Sequence, residues 1–173
     1  MAAEIPGRAS RLETLRYFKG TLLALAVVLG CSINSLAQTQ RTIWPSTAVP
    51  ATPDVGPDSA VELGVSFTAD TNGFVTGIRF YRSPSNSGVH VGNLWTNTGV
   101  KLASATFTGE TALGWQQVNF STPVAISANS VYVASYHTTI GHYSANWNYF
   151  ATAGVNNAPL HALASAEIGR AHV

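Results

Sequence analysis

Cysteine is almost missing: Cys31 is the single one among 173 residues. No internal disulfide and no zinc site built on paired cysteines can form, so packing must hold the fold. Charge is scarce as well, with Asp, Glu, Lys and Arg making up 10% of the chain. Between 38 and 166 only Arg41, Arg79, Arg82 and Lys101 stand against Asp54, Asp58, Glu62, Asp70 and Glu110. A nucleic-acid partner needs clustered cations against its phosphates, and four scattered ones exclude it. No apolar run approaches the roughly 20 residues of a membrane-spanning helix. Phosphate-binding glycine loops, a Gly-x-Ser-x-Gly nucleophile turn and internal repeats are absent too.

What the first 37 residues do hold is a secretion pattern. Arg8, Arg11, Arg16 and Lys19 precede the apolar run Thr21-Leu-Leu-Ala-Leu-Ala-Val-Val-Leu-Gly30, and Ser35-Leu36-Ala37 supplies a small-x-small cleavage site. The expected signal peptide is 1–37, helical, with Gln38 as the new terminus. Processing at Cys31 with lipidation is the alternative, and it would anchor the protein at the cell surface. At the other end, Ile168-Gly-Arg-Ala-His-Val173 matches a translated sequencing adapter. Residues 167–173 are therefore expected to be an artefact that follows an incomplete domain.

Residues 38–60 carry Pro45, Pro50, Pro53 and Pro57 and read as an extended Pro/Thr/Ser-rich lead-in. Beyond them, short alternating runs are separated by turn residues. Val61, Leu63, Val65 and Phe67 alternate with Glu62, Gly64 and Ser66. Ile78 and Phe80 fall on the face opposite Arg79 and Tyr81. Asp70-Thr-Asn-Gly73 reads as a turn with positive φ at Asn72-Gly73, and Asn97-Thr98-Gly99 as another. Further runs cover 89–96, 101–107, 115–120, 124–126, 130–137 and 142–150. The pattern predicts an all-β domain over 61–166, an antiparallel β-sandwich or jelly roll of about eight short strands.

Several blocks in fixed order resemble one bacterial extracellular family, domain of unknown function 4082. They are Val61-Glu-Leu-Gly-Val-Ser-Phe67, Gly77-Ile-Arg-Phe-Tyr81, His90-Val-Gly-Asn-Leu-Trp95, Thr106-Phe-Thr-Gly-Glu110, Gly114-Trp-Gln-Gln-Val-Asn-Phe120, Tyr132-Val-Ala-Ser-Tyr-His137 and Gly141-His-Tyr143. The resemblance covers about 44–166. It implies a β-sandwich accessory domain within a longer secreted protein, beside immunoglobulin-like or carbohydrate-active modules, with no established activity. It also implies a closing strand beyond Pro159-Leu-His-Ala162, which this chain does not match.

Candidate chemistry is thin. Glycoside hydrolysis needs two carboxylates about 5–10 Å apart, and Glu110 is the sole glutamate in mid-domain. A loop-closing hydrogen bond is the preferred reading of its carboxylate, and a bond to sugar hydroxyls the alternative. His90, His137 and His142 lack metal-ligand spacing, so no metal, no cofactor and no catalytic residues are expected. Aromatics carry the better hypothesis, because sugar C–H faces stack on rings while hydroxyls bond Glu, His and Asn. Tyr81, His90, Trp95, Glu110, Trp115, His137 and Tyr143 are the candidate ligand-binding residues. For Trp95 and Trp115 a place in the core is the competing expectation. The sequence thus points to a non-catalytic module that binds an extracellular polysaccharide or cell-surface component. A structural spacer or adhesion module is the alternative.

Overall fold

Phe67, Ile78, Phe80, Leu94, Phe107, Phe120, Ile126 and Tyr136 meet in one buried cluster, and two layers of strands form around it. The computed structural model describes residues 39–164, so the signal-peptide and adapter readings lie outside the described residues. The strands are β1 (Thr52–Val55), β2 (Val61–Ala69), β3 (Gly73–Arg82), β4 (His90–Thr96), β5 (Lys101–Thr106), β6 (Gly114–Ile126), β7 (Tyr132–Thr138), β8 (Tyr143–Ala145), β9 (Val155–Asn157) and β10 (Leu160–Ala162). There is no helix among the described residues. One sheet runs β5-β4-β7-β2-β10-β9 and the other pairs β3 with β6, while β1 and β8 form a separate ribbon. Every pairing is antiparallel. The expected all-β sandwich is what forms.

Alternation decides the faces. Along β7, Tyr132, Ala134 and Tyr136 turn to the core, while Val133, Ser135 and His137 turn away. Phe80 of β3 reaches across and stacks on Tyr136 at 4.1 Å, with Phe107 edge-on at 4.9 Å. Burial of each such ring contributes on the order of 2–3 kcal/mol. Gly92 lets the layers close, since a Cβ there would stand 2.9 Å from Ile78 Cβ and 3.1 Å from Phe107 Cε2.

The count of ten strands against about eight has identifiable causes. β1 falls inside the Pro-rich lead-in and exists because β8 pairs with it, which local sequence does not reveal. β9 and β10 are three residues each and too short to show a period. The runs 115–120 and 124–126 merge into β6. Val75 opposes Val124 and Gly77 opposes Asn119, so Pro123 sits in a bulge where its missing N–H disturbs no ladder.

Asp70–Gly73 is not a hairpin turn, and neither Asn72 nor Gly73 has positive φ. β2 pairs with β7 and β10, so this segment carries the chain across to the other sheet. Asn72 Oδ1 accepts the Ala128 N–H at 2.8 Å, and the positive φ of 58° belongs to Asn129. The Asn97–Gly99 turn does close the β4–β5 hairpin, with Gly99 at φ 84°.

Candidate functional site

The outward residues of β4, β7 and β2 lie side by side in three rows. Val91, His137 and Glu62 form the first, Asn93, Ser135 and Gly64 the second, Trp95, Val133 and Ser66 the third. The sequence requires this placement, because Leu94, Ala134 and Leu63 between them belong to the core.

Two hydrogen-bond relays converge on one carboxylate oxygen here. Ser104 Oγ donates to Asn93 Oδ1 at 2.8 Å, and Asn93 Nδ2 donates to Glu62 Oε1 at 2.9 Å. Trp95 Nε1 donates to Ser135 Oγ at 2.8 Å, and the Ser135 hydroxyl donates to the same Glu62 Oε1. Asn93 and Ser135 are buried although they point away from the core, so their bonds are sheltered from water and fix the Glu62 side chain. Among the described residues, its second oxygen, Oε2, has only His137 Nδ1 at 3.5 Å. Oε2 therefore retains acceptor capacity, and the His137 side chain beside it is 37% exposed.

Gly64 lets β7 close tightly against β2 next to these groups. It is exposed in mid-strand, and a Cβ there would stand 2.9 Å from Ser135 Cβ and 3.1 Å from Ala134 O. A glycine inside a strand here serves the close approach of the neighbouring strand. On the β5 side, Lys101 Nζ lies 5.1 Å above the Trp95 ring centroid. The face thus offers an indole, a fixed carboxylate, an imidazole and an ammonium on rigid strands. Such a set can stack a ring and hold hydroxyls.

The other candidate residues lie elsewhere. His90 is fully buried, so it is no surface ligand. Its Nδ1 stands 2.9 Å from both Glu110 oxygens, its Nε2 2.9 Å from Asn86 Oδ1, and its ring 4.9 Å from Phe80. Arg82 bonds Asn86 O and Thr111 O beside them. This set closes the 83–90 and 107–111 loops over the core, and Glu110 serves that closure.

Tyr81 and Trp115 do meet, edge-on at 5.7 Å, on the outer side of β3–β6. Trp115 is already engaged by Arg79 at 4.7 Å, by Trp44 stacked at 6.5 Å and by its own Nε1–H on Ala48 O. Burial pushes the Arg79 guanidinium below its ordinary value. Trp44 continues to Tyr149 and Phe150. These rings clasp the lead-in to the domain. Trp95 and Trp115, expected in the core or in a site, are half-buried and outside the core cluster. Tyr143 bonds Asp58 from β8. Burial first, then the Asp58 bond and charge, push its phenol up.

Sequence reasoning missed Glu62, Asn93, Ser135, Gly64 and Lys101. Each sits at a polar position of an alternating strand, and only cross-strand register shows that they adjoin. It also overlooked that each described histidine faces a carboxylate, His142 with Asp54 and His161 with Asp70 completing the set. Among the described residues, no three metal-ligating side chains converge.

A family model, described as Domain of unknown function (DUF4082), matches residues 47–173. The chain belongs to that family. No curated protein matches it. Trp44 of the clasp lies just before the stretch of this DUF4082 chain that the family model covers.

Proposed function

We propose that this DUF4082 chain is a secreted, non-catalytic module that binds extracellular carbohydrate on the outer face of β4, β7 and β2. One observation carries the reading: the relays from Trp95 and Ser104 converge on Glu62 Oε1 and leave Oε2 with acceptor capacity beside the partly exposed His137. A pre-oriented carboxylate is a strong acceptor for sugar hydroxyls, and a half-exposed indole supplies the apolar platform. Rigid strands hold these groups before ligand arrives, which lowers the cost of ordering them. Acid–base hydrolysis fits less well, because it needs a second carboxylate near Glu62 and Glu110 is committed to His90. The secretion pattern and the setting implied by the family resemblance agree with an extracellular ligand.

The spacer reading draws on a different observation. Trp44, Trp115, Tyr149 and Phe150 engage one another and seat the lead-in, as a linker anchor would. Retention on a panel of insoluble polysaccharides separates the two. Binding by the natural protein, lowered at least about tenfold by Trp95→Ala and by Glu62→Gln, supports the carbohydrate reading, since each removes a contact on the order of 1.4 kcal/mol or more. No retention on any polymer leaves the spacer reading.

A further inference from the structure

Lys101 is the sole lysine among the described residues, and no carboxylate or carbonyl accepts from it. The described carboxylates face other groups: Glu110 faces His90 and Arg82, Glu62 faces His137, Asp54 faces His142, Asp70 faces His161 and Asp58 faces Tyr143. Lys101 instead holds its ammonium 5.1 Å above the Trp95 ring, although it is exposed at the start of the outermost strand, β5. A cation so placed favours an anion arriving at the same ring, because pairing with it breaks no existing ion pair.

The face is electrically two-ended. Lys101 stands on β5 and Glu62 on β2, with β4 and β7 between them, and their side chains lean together, since Lys101 Nζ lies over the Trp95 ring whose Nε1 reaches Glu62 through Ser135 Oγ. The Glu62 charge is partly met by the Asn93 and Ser135 donors, so an anion finds its favourable end at Lys101. The other charged or titratable groups on this outer face are His137 beside Glu62, and the His161–Asp70 pair toward β10.

We infer, on the basis of the carbohydrate reading above, that the preferred ligand is an acidic glycan, a uronate-containing oligosaccharide. One sugar carboxylate pairs with Lys101 over Trp95, and hydroxyls of a neighbouring residue donate to Glu62 Oε2. The opposed charges at the two ends orient the chain across the strands. A neutral glycan uses the same ring and carboxylate but leaves Lys101 unpaired.

The test is affinity electrophoresis of the natural protein through gels containing polygalacturonate or alginate, each compared with its carboxyl-reduced form. The expected result is retardation at least about fivefold stronger on the uronate polymers. That preference should disappear in Lys101→Met, survive in Lys101→Arg and shrink as salt rises from 0.05 to about 0.5 M. Unchanged thermal unfolding of the variants confirms that the effect is local. Equal retardation by acidic and reduced polymers, or a preference that Lys101→Met leaves intact, overturns the uronate assignment while the carbohydrate reading stands. Retention of the protein only on neutral polymers also overturns it. Failure on every insoluble polymer of the broader panel is the distinct result that removes the underlying reading.

Discussion

Asp54 illustrates how much a single side chain's role depends on partners far along the chain. It sits in the Pro-rich lead-in, yet the Ser83 hydroxyl donates to it and His142 Nδ1 stands 3.1 Å away. The Ser83 bond, foremost, holds its carboxyl below the usual carboxylate range, aided by Ser85 and His142 and opposed by desolvation. A depressed carboxyl stabilises the fold above its unfolded value, about pH 3.9, and that contribution fades as pH falls through the folded value. Asp54→Asn should therefore lower stability at pH 7 by less than about 1 kcal/mol, because the group is largely solvated. The gap between the two proteins should narrow as pH falls below the ordinary carboxylate range. Urea unfolding at pH 7 and at a pH below that range checks this, and an equal gap at both contradicts it. At this scale the sequence was legible where chemistry is local and silent where it is not. The rarity of Glu110 was visible; its commitment to the buried His90 was not, because the two are joined by the loop geometry of folded strands.

At the scale of elements, alternation served well for β2, β3 and β7, whose inward and outward residues follow the expected period. It failed for β1, β9 and β10, which exist through pairing rather than propensity. The lead-in is the clearest case. Its prolines exclude a helix, but only the structure reveals the Trp44 clasp, because Trp44, Trp115 and Tyr149 are remote in sequence. Removing the ring by Trp44→Ala should lower stability by about 2 kcal/mol, less than for a fully buried tryptophan, since Trp44 is half-exposed. Polysaccharide retention should not change, because the clasp lies outside the β4–β7–β2 face. Chemical denaturation together with pull-down tests both halves; a loss of retention at unchanged stability would move the site to the clasp.

At the scale of the whole molecule, the sandwich divides labour between its two outer faces. On β3–β6 the rings are taken up by the protein's own lead-in and by Arg79. On β4–β7–β2 the polar groups are fixed from within, with one carboxylate oxygen, one imidazole and one indole turned outward. The sequence had indicated that aromatics would carry function, but it could not tell Trp95 from Trp115. Only register distinguishes a ring that holds the chain from one that is available. The four tryptophans of the chain, Trp44, Trp95, Trp115 and Trp147, give four indole N–H signals in a nitrogen-15 correlation spectrum. Titration with soluble oligosaccharides of whichever polymer retains the protein should move the Trp95 indole signal and the Gly64 and His137 amides, leaving the Trp44 and Trp115 indoles in place. Movement at Trp44, Trp115 or Trp147 with Trp95 unchanged would contradict the assignment of the binding face.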